Sequence, residues 1–150
     1  MAIKAFLFSA LCVLLIVNCS YLTTKKRIHS KNYALNVEEQ ASIGRPMVLS
    51  EYITYVRSKS GEGQVAELDS WQFSDYPTSD KSKEVLIYNG RTDTILHISY
   101  KKYEGNFESP RLSRELTYDL GYSDMIEFKN FKIKVINATD EYVRYLVLDD

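Results

Sequence analysis

The clearest hydrophobic pattern of the chain lies near its carboxyl end. Residues 131–135 read Phe-Lys-Ile-Lys-Val, and this alternation predicts a strand with one buried and one exposed face. A turn-rich stretch at 138–140 precedes a second apolar run at 142–148. We therefore expect residues 131–137 and 142–148 to pair as antiparallel strands.

A second pair of apolar runs flanks a turn sequence in the middle of the chain. Residues 84–88 and 94–100 are rich in β-branched and aromatic side chains, and Asn89-Gly90 begins the polar stretch between them. Asn-Gly readily takes the positive φ values that a two-residue hairpin turn requires. The sequence therefore predicts a hairpin with Asn89-Gly90 in its turn.

Short strand patterns recur from residue 47 to residue 150, without a long helical pattern. There are about six or seven, separated by turn residues, and a polar stretch at 58–83 reads as a surface excursion between two of them. Such spacing is typical of an all-β domain. We expect residues 47–150 to form a single antiparallel sandwich or a partly open barrel.

The first 18 residues have the composition of an export signal. Lys4 precedes an uncharged apolar run at 5–17, which as a helix would span only about 20 Å of the ~30 Å hydrocarbon core. A run of this length predicts a cleavable signal peptide at 1–18. The alternative is an uncleaved signal anchor, since the basic stretch at 25–27 places more positive charge after the run than before it.

The apolar run ends in Ile16-Val17-Asn18-Cys19. This sequence resembles the lipobox of bacterial lipoproteins, with Asn18 where that motif usually has a small residue. The resemblance implies that Cys19 is lipidated, becomes the new amino terminus and anchors the protein to a membrane of the cell envelope. With Ser20 rather than aspartate next, it further implies the periplasmic face of the outer membrane if the source has two membranes. The alternative is a chance cysteine beside an ordinary cleavage site near Ser20.

The cysteine content fits the lipobox interpretation. The chain has two cysteines, and removal of residues 1–18 would discard Cys12 and leave Cys19 without a disulfide partner. Exported domains commonly use cysteines in disulfides. A single remaining cysteine therefore needs another role, which lipidation supplies.

Residues 19–46 read as a lipid-anchored, flexible tether. The stretch is polar and basic, with scattered apolar side chains, and a flexible coil of this length has a root-mean-square span of about 30 Å. Within it, Asn36 precedes residues 37–43 and Gly44 follows them. That order predicts a short capped helix at 37–43.

Charge and the inventory of ligating side chains narrow the range of functions. Removal of Lys4 with the signal peptide leaves 18 basic and 20 acidic side chains, so nothing drives the domain toward nucleic acid electrostatically. The only histidines are His29 and His97, too few with Cys19 for a typical zinc site. We therefore expect no metal, no cofactor and no nucleic-acid partner.

Two functions remain open from the sequence. The first is a non-enzymatic envelope protein that binds or scaffolds another envelope protein or a glycan, since the chain has twelve tyrosines and no recognisable catalytic motif. Its candidate binding residues, near predicted loops, are Tyr76, Tyr103, Tyr122, Arg91 and Arg111. The second is a small extracytoplasmic hydrolase in which His97 works with loop carboxylates. Those carboxylates are Asp75, Asp80, Asp93 and Asp124.

Overall fold

The computed structural model describes residues 24–60 and 72–150, and there the protein is all-β, as predicted. These residues contain nine strands and no helix. Seven strands lie from residue 46 onward, as predicted for the domain at 47–150, and two more lie before it. The strands are β1 (Thr24–Lys31), β2 (Glu38–Ser42), β3 (Pro46–Ser60), β4 (Gln72–Thr92), β5 (Ile95–Glu104), β6 (Leu112–Asp119), β7 (Met125–Phe128), β8 (Phe131–Ala138) and β9 (Tyr142–Asp149). The predicted signal peptide and Cys19 lie outside the described residues.

The strands form two antiparallel sheets that pack face to face as a sandwich. The first sheet has the order β1-β3-β4-β5-β6, and the second has the order β2-β9-β8-β7. Neighbouring strands of both sheets run antiparallel. Each sheet keeps its own edge strands, so the described strands do not close into a barrel.

One hydrophobic core fills the space between the sheets. Met47 and Tyr88 contribute from the first sheet, and Ile133 and Val147 from the second, all of them fully buried. The hydroxyl of Tyr145, in the second sheet, donates to the carbonyl oxygen of Met47 in the first. Buried aromatic hydroxyls need such a partner, and this one joins the two sheets across the core.

The predicted pairing of the last two strands is confirmed. β8 pairs with β9, with two β-bulges along the ladder. Phe131, Ile133 and Val135 are buried, whereas Lys132 and Lys134 are exposed. The period of two in the sequence therefore identified both the strand and the face that it buries.

The prediction of a flexible tether at 19–46 is wrong where the structure describes that segment. β1 pairs along its whole length with β3, from Thr24 opposite Arg57 to Lys31 opposite Ser50. All of its side chains are exposed, so β1 lacks the apolar alternation by which a strand is recognised. Its backbone hydrogen bonds to β3 make it a strand nonetheless.

The helix predicted at 37–43 is also wrong, since β2 occupies most of this segment and pairs with β9. Asn36 has a φ of 59°, in the left-handed region rather than the β region that a helix N-cap adopts. Ala41 is buried opposite Val143. Burial of one strand face in the sandwich outweighs a weak capping pattern.

The predicted hairpin is present, but its turn is Asp93-Thr94 rather than Asn89-Gly90. β4 and β5 pair right up to that turn, and Asp93 has a φ of 53°, which aspartate tolerates. Asn89 and Gly90 instead form a β-bulge within the ladder. Gly90 has a φ of 102°, and a side-chain carbon there would lie 3.2 Å from Cδ1 of Ile43. The glycine serves a bulge and a close approach.

The first sheet extends beyond the sandwich. We call this extension, formed by β1, residues 50–60 of β3 and residues 72–83 of β4, the arm. Among its described side chains no apolar residue is buried, and only Thr54 and Ser82 are. β1 starts at Thr24, opposite Arg57, near the described end of β3 at Ser60, and runs from there toward the sandwich.

The opposite end of the sandwich gathers three loops. The amide of Leu120, in the β6–β7 loop, donates to the carbonyl oxygen of Thr94 in the β4–β5 turn at 2.8 Å. The guanidinium of Arg91 donates to the carbonyl oxygen of Ala138, at the start of the β8–β9 loop, at 3.0 Å. We call this end, with its three loops, the far end.

Candidate functional site

The five predicted binding residues do not form one site. Tyr103 lies on the outer face of the first sheet, and Arg111 follows it in the β5–β6 loop. Tyr76 lies on the arm and is 57% exposed. Arg91 and Tyr122 lie at the far end. Any binding role of these residues would therefore belong to separate surfaces of the protein.

The two arginines are held by the protein itself. Arg91 donates to the carbonyl oxygens of Asp93 and Ala138, and so ties β4 to the end of β8. Arg111 donates to the carboxylate of Glu104 in the neighbouring strand. Arg91 serves the architecture of the far end, and Arg111 braces the β5–β6 loop.

Tyr122 differs, because its ring is 93% exposed on a loop with internal hydrogen bonds. The amides of Tyr122 and Ser123 each donate to the carbonyl oxygen of Asp119 at 3.1 Å. The amide of Gly121 donates to the Asp119 carboxylate at 2.9 Å. Hydrogen bonds from the Thr94 side chain and the Gly121 amide lower the pKa of Asp119. The loop backbone is therefore ordered around one carboxylate, and it carries the exposed Tyr122 side chain at a defined position of the fold.

Two hollows flank this loop. The larger has a volume of about 690 Å³ and is lined by Tyr118, Asp119, Tyr122, Ser123, Met125 and Glu127. The smaller has a volume of about 260 Å³, and its lining includes Leu120, Gly121, Asp124 and Ile136. The larger falls in the size range of small-ligand sites. Aromatic rings, a methionine and two carboxylates meet there.

A second cluster lies on the outer face of the first sheet, and the sequence analysis missed it. The ammonium of Lys83 lies 4.6 Å from the ring centre of Tyr103 and 4.8 Å from that of Phe107. The ammonium of Lys81 lies 5.6 Å from the ring of Phe107. Lys101, two residues before Tyr103 in β5, projects from the same face. Cation–π contacts of this kind hold the amines over the rings.

The sequence contains the two lysines of this cluster, but their polar surroundings predict a surface excursion rather than a strand. Residues 78–83 instead lie in β4. Lys81 and Lys83 stand two apart, so in a strand they share one face. Charged side chains without an apolar alternation gave no reason to treat the segment as a strand.

A partly buried polar cluster lies where the arm joins the sandwich. The hydroxyl of Tyr100, which is fully buried, donates to Oε1 of Glu84 at 2.8 Å. The ammonium of Lys129 donates to the same oxygen at 2.7 Å and also to the Tyr100 hydroxyl. Burial alone would raise the pKa of Glu84, but hydrogen bonds from Lys129 and Tyr100 outweigh it and lower the pKa.

The state of Tyr100 decides what this cluster does. Burial, and then the hydrogen bond to Glu84, raise the pKa of Tyr100. A tyrosine with a raised pKa keeps its proton, so its hydroxyl donates a hydrogen bond to the carboxylate. The arrangement joins Glu84, Tyr100 and Lys129 into a structural junction.

The groups of the hydrolase hypothesis are not brought together. Nε2 of His97 lies 3.3 Å from the hydroxyl of Thr92. Ser99, two residues on in β5, donates its hydroxyl to Glu115 at 2.9 Å. Of the four predicted carboxylates, two form ion pairs with arginines on the arm and two lie at the far end; the pairs are Asp75 and Asp80, and Asp93 and Asp124.

Within residues 24–60 and 72–150, no group of three or more His, Cys, Asp or Glu side chains is placed to hold a metal ion. The same part of the chain contains no helix with the length and apolar character needed to cross a bilayer. No protein-family model, no curated protein and no solved structure matches this chain. Its function is therefore inferred from its own surfaces.

Proposed function

We propose that this protein is a lipid-anchored component of the cell envelope that binds another envelope protein or a glycan through the far end of its sandwich. The single observation that carries the binding role is Tyr122, a ring 93% exposed on an ordered loop between two hollows. Large amphipathic side chains in such places are the residues that dominate binding energies.

The order of the loop supports a binding role. Hydrogen bonds to Asp119 and to the β4–β5 turn fix the loop before any partner arrives. A preorganised loop loses little conformational entropy on binding, so more of the contact energy appears as affinity. The tyrosine itself adds only two rotatable side-chain bonds.

The chemistry of the larger hollow indicates the kind of partner. Tyr118 and Tyr122 offer ring faces, while Asp119 and Glu127 offer carboxylate oxygens that accept hydrogen bonds. Ring faces beside acceptors suit a sugar, whose apolar face stacks and whose hydroxyls donate. They suit equally a protein loop that brings an apolar side chain flanked by donors.

The lipid anchor is proposed from the lipobox resemblance at Cys19. On this proposal the anchor lies close to the arm, because the first described strand, β1, begins at Thr24. The five residue steps from Cys19 to Thr24 can span at most about 18 Å. The anchor therefore holds the tip of the arm close to the bilayer, and the far end lies at the other end of the domain.

Intact mass of the protein extracted from membranes tests the anchor. We expect a species that begins at Cys19 and carries added acyl mass, and we expect Cys19→Ala to accumulate as an unprocessed or soluble form. A mature chain that begins at Ser20 or later, without added lipid, would refute the anchor.

Site-specific photo-crosslinking in cells tests the binding role. A photoreactive residue in place of Tyr122 should give a covalent adduct with a protein or glycan partner. The matched control is Tyr76, a second exposed tyrosine on the arm, where the same residue should give no such adduct. A folded, membrane-bound protein without an adduct at position 122 contradicts the proposal.

The hydrolase remains the second hypothesis, and the contacts of His97 do not favour it. On the binding proposal, His97→Ala leaves the Tyr122 adduct unchanged and the protein functional in a complementation assay. Complete loss of function in a folded, correctly localised His97→Ala protein would instead support the hydrolase.

A further inference from the structure

The cations of this protein fall into two groups by their ion pairing. On the outer face of the second sheet each one has a carboxylate partner: Lys132 with Glu127 at 3.4 Å, Lys134 with Asp124 at 3.8 Å and Arg144 with Glu38 at 2.6 Å. The inner face of the arm has two such pairs, Arg27 with Asp80 and Lys31 with Asp150, and Lys25 there acts on Asp80 without pairing with it. The outer face of the second sheet is therefore locally close to neutral, and the inner face of the arm is partly so.

The outer face of the first sheet is different. Within the described ranges, the amines of Lys26, Lys81, Lys83 and Lys101 have no carboxylate oxygen within 4 Å. We call these four residues the lysine face. Glu51 lies opposite Lys83 in the register but does not pair with it. Asp75, paired with Arg57 and close enough to Lys26 to act on it electrostatically, and Glu115 lie on the same face. The four lysines and Arg57 outnumber these three carboxylates, so the face keeps a small net positive charge.

The register places the lysine face along one line of the sheet. Lys26 lies opposite Tyr55, and Lys81 lies opposite Ile53. Lys83 comes two residues further along β4, and Lys101 follows at the level of Val85. At about 3.3 Å per residue, the four amines are spread over roughly 20 Å. This row runs from near the tip of the arm to the edge of the sandwich.

Apolar and aromatic side chains lie between the amines. Ile28 is exposed on this face, and Tyr55, Tyr103 and Phe107 are partly exposed there. Val85 is buried although it does not belong to the central core, so neighbouring side chains cover it from outside. A flat mixture of amines, rings and aliphatic groups has the chemistry of a surface that rests on lipid headgroups.

The position of the proposed anchor allows two orientations of the arm at the membrane, which differ in how many of the four amines reach the headgroups. An arm standing upright on Cys19 would hold the four amines at heights differing by roughly 20 Å, whereas electrostatic attraction decays over about 8 Å at physiological salt. An arm lying on its outer face would bring all four amines to the headgroups together. Only the second orientation uses the whole row.

We infer that, given the proposed lipid anchor, the arm lies with its lysine face against an anionic phospholipid surface. The amines of Lys26, Lys81, Lys83 and Lys101 contact the headgroup phosphates, and Tyr55 and Tyr103 lie at headgroup level. The anchor holds one end of the arm at the membrane, and a basic patch beside it adds electrostatic attraction to anionic headgroups. The lysine face thus fixes the orientation in which the far end meets its partner.

Lysine acetylation tests this orientation on the full chain. Protein purified in a neutral detergent is reconstituted into vesicles of phosphatidylcholine, with or without phosphatidylglycerol, and treated with a membrane-impermeant acetylating reagent. We expect severalfold slower acetylation of Lys26, Lys81, Lys83 and Lys101 on phosphatidylglycerol vesicles only, and recovery in high salt. Lys132 and Lys134 serve as internal controls and should react equally on both kinds of vesicle.

Paired variants sharpen this experiment. Lys81→Gln with Lys83→Gln should abolish the protection of Lys26 and Lys101, whereas Lys132→Gln with Lys134→Gln, which removes the same charge, should leave it intact. Equal acetylation on both kinds of vesicle would overturn the inference. Protection that needs an added anionic polysaccharide, and not anionic lipid, would also overturn it and assign the face to a glycan.

Flotation with vesicles distinguishes a failure of the proposed anchor from a failure of the proposed role of the lysine face. A chain that does not float with phosphatidylcholine vesicles refutes the anchor. Its salt-sensitive flotation with phosphatidylglycerol vesicles then still supports the lysine face, and absence of that flotation overturns it.

Discussion

The sandwich and the arm share two strands, β3 and β4, yet different interactions hold them together. Side chains from two sheets fill the interior of the sandwich, and the largest fully buried ones are Tyr88 and Tyr100. The described part of the arm buries no apolar side chain. Its neighbouring strands are linked by backbone hydrogen bonds and by exposed ion pairs such as Arg57 with Asp75, at 2.9 Å.

This difference predicts a difference in local stability. Burial of apolar surface is the main favourable term in folding, and exposed ion pairs contribute little. Segments with few buried apolar contacts open at lower free energy than a core. The sandwich therefore sets the global stability, while the arm is free to carry charge on its surface at little cost to the fold.

The largest effect is expected for a charge placed in the sandwich core. Val135→Asp buries an unpaired carboxylate between the sheets and should lower the free energy of unfolding by about 3–5 kcal/mol. Lys134→Asp, on the opposite face of β8, should change it by no more than about 0.5 kcal/mol. Urea unfolding followed by circular dichroism measures both.

The matching substitution in the arm should have a much smaller effect on the free energy of unfolding. Val56 is half-buried there and lies opposite Lys25 and Tyr76, so Val56→Asp should cost about 1 kcal/mol or less. A loss for Val56→Asp as large as that for Val135→Asp would show that the arm belongs to the cooperative core. Equal losses for Val135→Asp and Lys134→Asp would show that the strand register is wrong.

A smaller effect is expected at two glycines with positive φ. Gly90→Ala meets both an unfavourable φ of 102° and the Cδ1 atom of Ile43 at 3.2 Å, so it should cost about 2 kcal/mol. Gly105→Ala, next to the arm, has a φ of 68° and open space around its Cβ, and it should cost about 1 kcal/mol. Thermal unfolding compares the two, and a larger loss at Gly105 would contradict the packing at Gly90.

The junction between the two regions should give an effect that depends on pH. The lowered pKa of Glu84 means that its stabilising contribution is complete above the ordinary value of 4.5 and is lost as pH falls through the folded value. Glu84→Gln should therefore cost about 1 kcal/mol at pH 7, and nothing in strong acid. Denaturant unfolding across this pH range measures the difference.

A matched control for Glu84 lies on the second sheet. Glu127 pairs with Lys132 on an exposed surface, at 3.4 Å, so Glu127→Gln should have an effect within about 0.5 kcal/mol at every pH. If the two substitutions behave alike, the buried hydroxyl of Tyr100 adds nothing to the junction.

The sandwich was the more predictable region, for a physical reason. In β8 the buried face requires apolar side chains at every second position, namely Phe131, Ile133 and Val135, so the burial is visible in the sequence as an apolar alternation. β1 packs against no core and has no apolar alternation, so its basic residues predict a flexible tether. The segment of β4 that holds Lys81 and Lys83 was missed for the same reason.

The far end was predictable only in part. Tyr122 was chosen because it lies near a loop, and its exposure agrees with that choice. Arg91 was chosen on the same grounds, but its guanidinium donates to backbone carbonyl groups. Sequence position cannot separate an arginine that braces loops from one that awaits a ligand, because the distinction lies in which carbonyl groups come near it in the fold.

The smallest expected effect is local and confined to the arm. Hydrogen bonds from Thr54 and then Arg27 lower the pKa of Asp80, despite an opposing contribution from desolvation. Stabilisation from a carboxylate with a lowered pKa is present above its ordinary value, here 3.8, and disappears as pH falls through the folded value.

Amide protons of β1 and of the arm segments of β3 and β4 should therefore lose hydrogen-exchange protection over that pH range, after correction for intrinsic exchange rates. Asp80→Asn should reduce this pH dependence in the arm, where Asp75, whose pKa is lowered by the hydrogen bond from Arg57, retains part of it, and should leave the sandwich amides as they were. Asp124→Asn, which removes a carboxylate at the far end, should leave the arm's pH dependence intact. If sandwich and arm amides respond to Asp80→Asn alike, the two regions open together and the proposed difference in their stability does not exist.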